Sequence, residues 1–137
     1  MAENNITKFP DLGSELTGEI IKAALEVHRN LGPGLLESVY EACFVHELSC
    51  LGLQAEQQVV LPVIYKGIQI KQDLRIDLWI NRKVIVELKS CEKILPIHKA
   101  QIITYMRLSK TPIGLLINFN EKMLKNGIER LALTEFS

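Results

Sequence analysis

The sequence has few cysteines, few aromatic residues and no long apolar run. Its three cysteines, Cys43, Cys50 and Cys91, form an odd set without CxxC spacing, which argues against a disulfide framework and against a zinc site. We expect buried, reduced thiols instead. No stretch approaches the roughly 18 uninterrupted apolar residues that a membrane helix needs, and the polar start lacks the basic and apolar regions of a signal peptide. The sequence therefore predicts a cytoplasmic protein without a membrane partner.

Net charge is also absent, because 16 Lys and Arg residues balance 16 Asp and Glu residues. Phosphate-binding surfaces are usually basic, so this total alone argues against a nucleic-acid partner. The charges are unevenly distributed, however: residues 66–110 contain ten basic and four acidic side chains, an excess of six positive charges. Such a segment is typical of a solvated surface at least as often as of a phosphate-binding face.

The 137 residues suit one domain that buries its own core. We predict a flexible N-terminus over residues 1–13 and a single domain over residues 14–137. Apolar residues at intervals of three and four predict helices over residues 14–31, about 36–51, and from 94 or 96 to 108. Runs of β-branched or alternating residues predict strands over 57–65, 73–80, 84–89, 113–117 and 128–133. The strand, helix and strand at 84–117 predict a parallel crossover, so the fold class is α/β with a mixed sheet.

Two of these strands carry charged side chains in an apolar setting. Because alternate residues of a strand share a face, Glu87 and Lys89 are expected to project together. In the strand over 73–80, the same rule predicts one face formed by Leu74, Ile76, Leu78 and Ile80, and the other by Asp73, Arg75, Asp77 and Trp79. If Asn81, Arg82 and Lys83 form a three-residue loop, Asp77 faces Glu87, whereas a two-residue loop would need a bulge. We predict the longer loop or a bulge.

Asp77 and Glu87 would repel each other in that position, and their desolvation would be costly, so the pair needs a cation or a shared proton. Oxygen donors of this kind favour Mg²⁺ or Mn²⁺. Such an ion could hold a phosphate oxygen and lower the pKa of a bound water, while Lys89 orients that water or offsets transition-state charge. A salt bridge from Lys89 or Arg75 to the acids explains the same pattern, and for an isolated D…ExK match it is the commoner explanation.

Further motifs surround this pattern. The segment Gly34 to Tyr40 reads GLLESVY, and the others are LGPGLLESVYE at 31–41, IDLWI at 76–80, VIVELKS at 84–90, HKAQIITY at 98–105 and GLLINFN at 114–120. On these motifs the chain resembles the PD-(D/E)XK nuclease superfamily from about Thr17 to Leu133, and within it the bacterial GxxExxY proteins. The resemblance implies a restriction-endonuclease-like αβββαβ core, in which helices flank a central mixed β-sheet.

The resemblance also implies roles for single residues. Asp77 and Glu87 would be metal ligands together with the backbone carbonyl of Leu88, Lys89 would be the catalytic lysine, and Glu37 would add an acidic group near the metal. Gln101 and Tyr105 lie one helical turn apart and resemble a QxxxY pattern of RecB-like nucleases. Gln101 would then position Lys89 or contact a phosphate, with Tyr105 in support, although a polar pair on a helix surface has the same spacing.

Two functions are consistent with these features. One is a Mg²⁺- or Mn²⁺-dependent nuclease that hydrolyses phosphodiester bonds of DNA, or less readily RNA, through a metal-activated water. The other is a catalytically silent nucleic-acid-binding or protein-interaction module that keeps the nuclease fold. The presence of every motif acid and of the lysine favours the nuclease. The sequence contains no zinc finger or helix-turn-helix signature, so a homodimer could supply the missing contact surface.

Overall fold

The structure is a computed structural model that describes residues 6–7 and 14–134. The expected flexible segment 1–13 lies outside the described residues, except for Ile6–Thr7. These two residues form a short strand, β1, paired with the last strand of the sheet. Within the described part of the chain, no helix is both long and apolar enough to cross a bilayer.

Three helices form close to the predicted positions: α1 (Ser14–Leu31), α2 (Glu37–Cys50) and α3 (Pro96–Ser109). Two of the helix boundaries have a clear local cause. Gly32, with a φ of 68°, adopts a left-handed conformation directly after α1, and Pro33 cannot continue the helix. Pro96 occupies the first turn of α3, where its missing N–H leaves no hydrogen bond unmade.

All five predicted strands are present: β2 (Ala55–Tyr65), β3 (Ile68–Ile80), β4 (Val84–Lys89), β5 (Ile113–Asn118) and β6 (Ile128–Leu133). The sheet order is β1-β6-β5-β4-β3-β2. β4 and β5 are parallel and are connected by α3, which confirms the predicted crossover, and the other neighbours are antiparallel. β3 starts five residues before its predicted position, because β2 and β3 form a long hairpin around Lys66 and Gly67.

The core lies on both sides of this sheet. Side chains of α1 and α2, including Ile20 and Phe44, pack on one face. Ile102 and Met106 of α3 pack on the other. β4 and β5 contribute to both clusters, so they are the central, buried strands, as continuous apolar runs in parallel strands indicate.

The predicted division of β3 into two faces is wrong, because Trp79 lies on the same side as Ile76, from which the prediction separated it. Leu78 packs on the side of α1 and α2, whereas Ile76 packs on the side of α3, and Leu74 follows it. The change of side occurs at Asp77. Opposite this position Gln58 has a φ of 51°, a left-handed conformation that distorts both strands between the regular pairs on either side. Alternation therefore fails where the backbone is locally irregular.

The three cysteines are free, as predicted, but they are not buried. Cys50 is exposed, and Cys43 and Cys91 are half-buried. The buried face of α2 consists of Tyr40, Phe44 and Leu48 at four-residue spacing. The cysteines of α2 flank this stripe and do not belong to it, which explains their exposure.

Candidate active site

A three-residue loop joins β3 to β4 and sets their register, as predicted. Ile80 pairs with Val84, and Leu78 pairs with Val86. The loop closes with a hydrogen bond of 2.9 Å from the Lys83 N–H to the Ile80 carbonyl. Extending this register by one residue on each strand brings Asp77 opposite Glu87.

At that level the two carboxylates take hydrogen bonds from the backbone of the opposite strand. The Asp77 N–H donates to Glu87 Oε2 at 2.7 Å, and the Leu88 N–H donates to Asp77 Oδ2 at 2.9 Å. Each carboxylate therefore accepts a hydrogen bond from a backbone N–H group of the strand that carries the other carboxylate. The exchange holds both side chains at one place and brings together the two acids that the sequence paired.

Glu87 is buried, with only 5% of its surface exposed. Burial raises the pKa of Glu87 and the neighbouring charge of Asp77 raises it further, to about 8, although the Asp77 N–H and the charge of Lys89 lower it; Glu37 adds a small increase. A carboxyl group with this pKa is largely protonated at neutral pH unless a positive charge replaces the proton. A further positive charge next to Glu87 would therefore be stabilised at this site.

Tyr105 and Gln101 approach the acid pair from α3. Tyr105 is buried and Gln101 is exposed. Burial raises the pKa of the Tyr105 hydroxyl, the charges of Glu87 and Asp77 raise it further, and a hydrogen bond with the Gln101 side chain lowers it. Tyr105 thus lies beside the acids, while Gln101 is linked to them through Tyr105; the described residues show no hydrogen bond from Gln101 to Lys89.

Glu37 approaches from the other side, as the first residue of α2. It is exposed, and its charge has the smallest of the effects on Glu87. The start of α2 is held by Tyr40, whose hydroxyl donates to the Gly32 carbonyl at 2.6 Å and accepts from the Leu35 N–H at 3.2 Å. Within the GLLESVY segment, the glutamate therefore lies near the acid pair while the tyrosine fixes the preceding loop.

The chain after β4 is held by residues of the GLLINFN segment. Asn118 is fully buried; its Oδ1 accepts from the Cys91 N–H at 3.1 Å, and its Nδ2 donates to the Cys91 carbonyl at 2.9 Å. The Phe119 N–H donates to the Lys89 carbonyl at 2.9 Å. These bonds fix the backbone position from which Lys89 projects.

Two residues next to the site were not predicted from the sequence. Gln58 Nε2 donates to Glu41 Oε1 at 2.9 Å and lies 3.4 Å from Asp77 Oδ1. Glu41 follows Glu37 by one helical turn, a spacing that could have indicated its position. No sequence signal marks Gln58, because it lies within an ordinary strand pattern and its importance comes from its backbone conformation.

The donor chemistry of the acid pair fits a hard divalent cation. Each carboxylate uses one oxygen for a backbone N–H, and the second oxygen of Asp77 has only the long contact with Gln58. Among the described residues, no group of three or more His, Cys, Asp or Glu side chains is arranged to hold a metal ion. Mg²⁺ does not require one, because it keeps several waters and binds through one or two carboxylates. Asp77 and Glu87 could therefore hold Mg²⁺ or Mn²⁺ together with the Leu88 carbonyl, with Glu37 further out.

The mixed sheet, the helices on both faces, and the acid pair followed by Lys89 define a restriction-endonuclease-like domain. A family model of the PD-(D/E)XK nuclease superfamily matches residues 14–131. The chain belongs to this superfamily. Its members are generally hydrolytic nucleases that typically use Mg²⁺ or Mn²⁺, and catalytically inactive members also occur. Searches of curated proteins and of solved structures gave no match.

Proposed function

We propose that the chain is a nuclease that hydrolyses phosphodiester bonds of DNA, with RNA as a less favoured substrate, and that Asp77 and Glu87 bind its Mg²⁺ or Mn²⁺. The observation that supports this proposal is the exchange of backbone hydrogen bonds between the two acids, two residues before Lys89. A purely structural salt bridge is less consistent with the site, because the pKa of Glu87 stays raised to about 8 even with Lys89 nearby.

Each residue has a defined task in this proposal. Asp77, Glu87 and the Leu88 carbonyl would bind the ion, and Glu37 would add negative charge at the outer side. When bound, such an ion would supply positive charge for a phosphate oxygen and would lower the pKa of a water. Lys89 projects from the same face of β4 as Glu87, where its ammonium group orients the attacking water or offsets charge that develops on the phosphate.

Two residues of α3 support the acid pair in this proposal. Tyr105 covers the buried side of Glu87 and excludes water there, while Gln101 holds the Tyr105 hydroxyl.

We also propose that the chain is one of the GxxExxY proteins, since each position of the motif has a task of its own. Gly34 adopts a φ of 99° that suits glycine, Glu37 is close enough to Glu87 to raise its pKa slightly, and the Tyr40 hydroxyl is bonded to the loop before α2.

Metal binding and cleavage test this proposal together. Mn²⁺ is titrated calorimetrically into the wild type, Glu87→Gln and Lys89→Ala, and each protein is assayed on single- and double-stranded DNA. We expect Glu87→Gln to lose both metal binding and cleavage. We expect Lys89→Ala to keep metal binding and to lose activity by roughly three orders of magnitude, the effect of removing several kcal/mol of transition-state stabilisation.

The matched control is Glu19→Gln, an exposed glutamate on α1 outside the site, which should change neither property. Unchanged turnover in Lys89→Ala would contradict the role given to this lysine. DNA binding without cleavage under either metal would instead favour the catalytically silent module.

A further inference from the structure

A groove outside the acid site carries an excess of basic residues. It has a volume of about 630 Å³ and lies between α1 and the segment that follows β5. Its charged side chains are Lys22, Glu26, Arg29, Lys122 and Lys125. We call it the α1 groove. It is formed entirely by residues outside the basic segment 66–110, so a charge count along the sequence does not reveal it.

The lysines of the α1 groove keep their charges available. Glu26 is the acid of the groove, and it pairs with Arg29 and also accepts from Asn30 Nδ2 at 3.0 Å. Within the described residues, Lys22, Lys122 and Lys125 form no ion pair. The groove therefore presents three lysines without an ion-pair partner in the part of the chain that the structure describes.

The walls of the groove are fixed to each other. His28 Nε2 donates to the Glu121 carbonyl at 2.7 Å, which ties the last turns of α1 to the segment after β5. Between the lysines, Leu25 and Met123 are 44% and 54% exposed and offer apolar surface. The groove is thus a preformed basic channel with some apolar surface, and a positively charged groove is the feature with which proteins follow a nucleic-acid backbone.

The α1 groove lies at the same end of the sheet as the acid site. β4 and β5 are parallel, with Lys89 paired to Asn118, and the groove segment begins directly after Asn118 and Phe119. The other wall, the end of α1, leads through a short loop to Glu37. A cavity of about 500 Å³ at the opposite end differs in character, because Glu15 and Glu19 face Arg82 and Lys83 there.

We propose that the α1 groove binds the phosphate backbone of the nucleic acid beyond the cleaved bond. The identity of the polymer rests on the proposed function, whereas the location of the contact rests on the charges and topology of the groove. Phosphates beyond the acid site would neutralise Lys22, Lys122 and Lys125 and release the counterions bound to the nucleic acid. The groove would therefore contribute affinity without sequence preference.

The test measures binding of labelled duplex and single-stranded DNA by fluorescence anisotropy between 50 and 300 mM salt, in the full chain carrying Glu87→Gln. On that background we compare Lys122→Gln/Lys125→Gln with Lys83→Gln/Lys110→Gln. The control pair removes the same charge from the residues that precede β4 and β5, at the opposite end of the sheet. We expect the groove pair to weaken binding about tenfold and to reduce the slope of log Kd against log salt by about 1.8 for duplex DNA. The control pair should leave both near their starting values.

Equal losses in the two pairs would overturn the proposal, because net charge alone would explain them. Unchanged DNA binding in both pairs would overturn it as well, because the groove lysines would then not contact the phosphates. Adding Lys22→Gln should lower the slope by about one further unit. If the wild type cleaves DNA while the groove variants bind it normally, the groove proposal is refuted and the nuclease proposal is unaffected. Groove-dependent binding by a protein that cleaves nothing would uphold the groove and contradict the nuclease.

Discussion

The hairpin of β3 and β4 differs between its two ends. Near the loop, Ile80 and Val84 pair through the backbone and are fully buried. Beyond Leu78 and Val86, carboxylate oxygens of Asp77 and Glu87 accept the backbone hydrogen bonds instead. One end is built as ordinary core, whereas the other replaces regular pairing with two acids whose charges repel each other.

This difference indicates a division of tasks within one pair of strands. A buried carboxylate without a counterion destabilises a fold, and the raised pKa of Glu87 is a direct expression of that cost. The loop end should therefore stabilise the protein with or without metal. The acid end should destabilise the metal-free protein and should stabilise the protein only when a cation is bound.

Ile85→Ala should give the largest effect on stability. Ile85 is fully buried between the sheet and α3, so removing its outer carbons leaves a cavity that costs about 3 kcal/mol. The free energy of unfolding in urea measures the loss. Ile64→Ala removes the same atoms from a side chain that is 60% exposed and should cost about 0.5 kcal/mol or less. Similar losses in the two variants would contradict the assignment of the loop end as core.

Glu87→Gln should instead stabilise the metal-free protein at high pH. The pKa of Glu87 is raised from 4.5 to about 8 in the folded state, so its contribution to stability is complete below pH 4.5 and declines as the pH rises through 8. The Gln amide oxygen can still accept from the Asp77 N–H without carrying a charge. We expect the variant to exceed the wild type by on the order of 2 kcal/mol at pH 9 and to lose this advantage at pH 5.

Urea unfolding at pH 5, 7 and 9 in the presence of a chelator tests this expectation. Added Mg²⁺ should stabilise the wild type and leave Glu87→Gln unchanged, since only the folded wild type has both acids of the proposed metal site. Parallel pH profiles for the two proteins would show that the acid end carries no electrostatic burden.

Substitutions at Gln58 should give the smallest effect and separate two causes. Gln58→Gly keeps the backbone with its φ of 51° and removes the amide near Asp77, whereas Gln58→Ala removes the amide but keeps the strain. We expect Ala to be less stable than Gly by about 1 kcal/mol. Both should weaken Mn²⁺ binding by no more than about tenfold, because Gln58 acts through Asp77. A metal affinity that differs between Gly and Ala would assign the effect to the backbone and not to the amide.

The sequence predicts the regular parts of this molecule well, because their periodicity is the direct result of burial. The helix over 14–31, the strand over 84–89 and the parallel crossover all follow from apolar spacing. Even the register of Asp77 against Glu87 follows from the length of one loop. Regular secondary structure and its pairing can thus be predicted from one amino-acid sequence.

The irregular parts are not accessible in this way. The change of face at Asp77 depends on the φ of Gln58, a residue whose type gives no hint of a left-handed conformation. The strand residues 68–72 have a weak pattern of their own and pair because β2 continues opposite them. The contact between Glu41 and Gln58 joins a helix to a strand 17 residues later, and only the folded arrangement shows it.

The stacking of Tyr40 on Phe119 has a further consequence. The ring centroids lie 4.5 Å apart with nearly parallel planes, and the backbone N–H of Phe119 is bonded to the carbonyl of Lys89. The helix that begins at Glu37 and the strand that ends at Lys89 are therefore aligned on one aromatic residue. The relative placement of Glu37 and Lys89 thus depends on packing inside the protein. A change in ring size at position 119 is therefore expected to lower the proposed activity, although it replaces neither of these two residues.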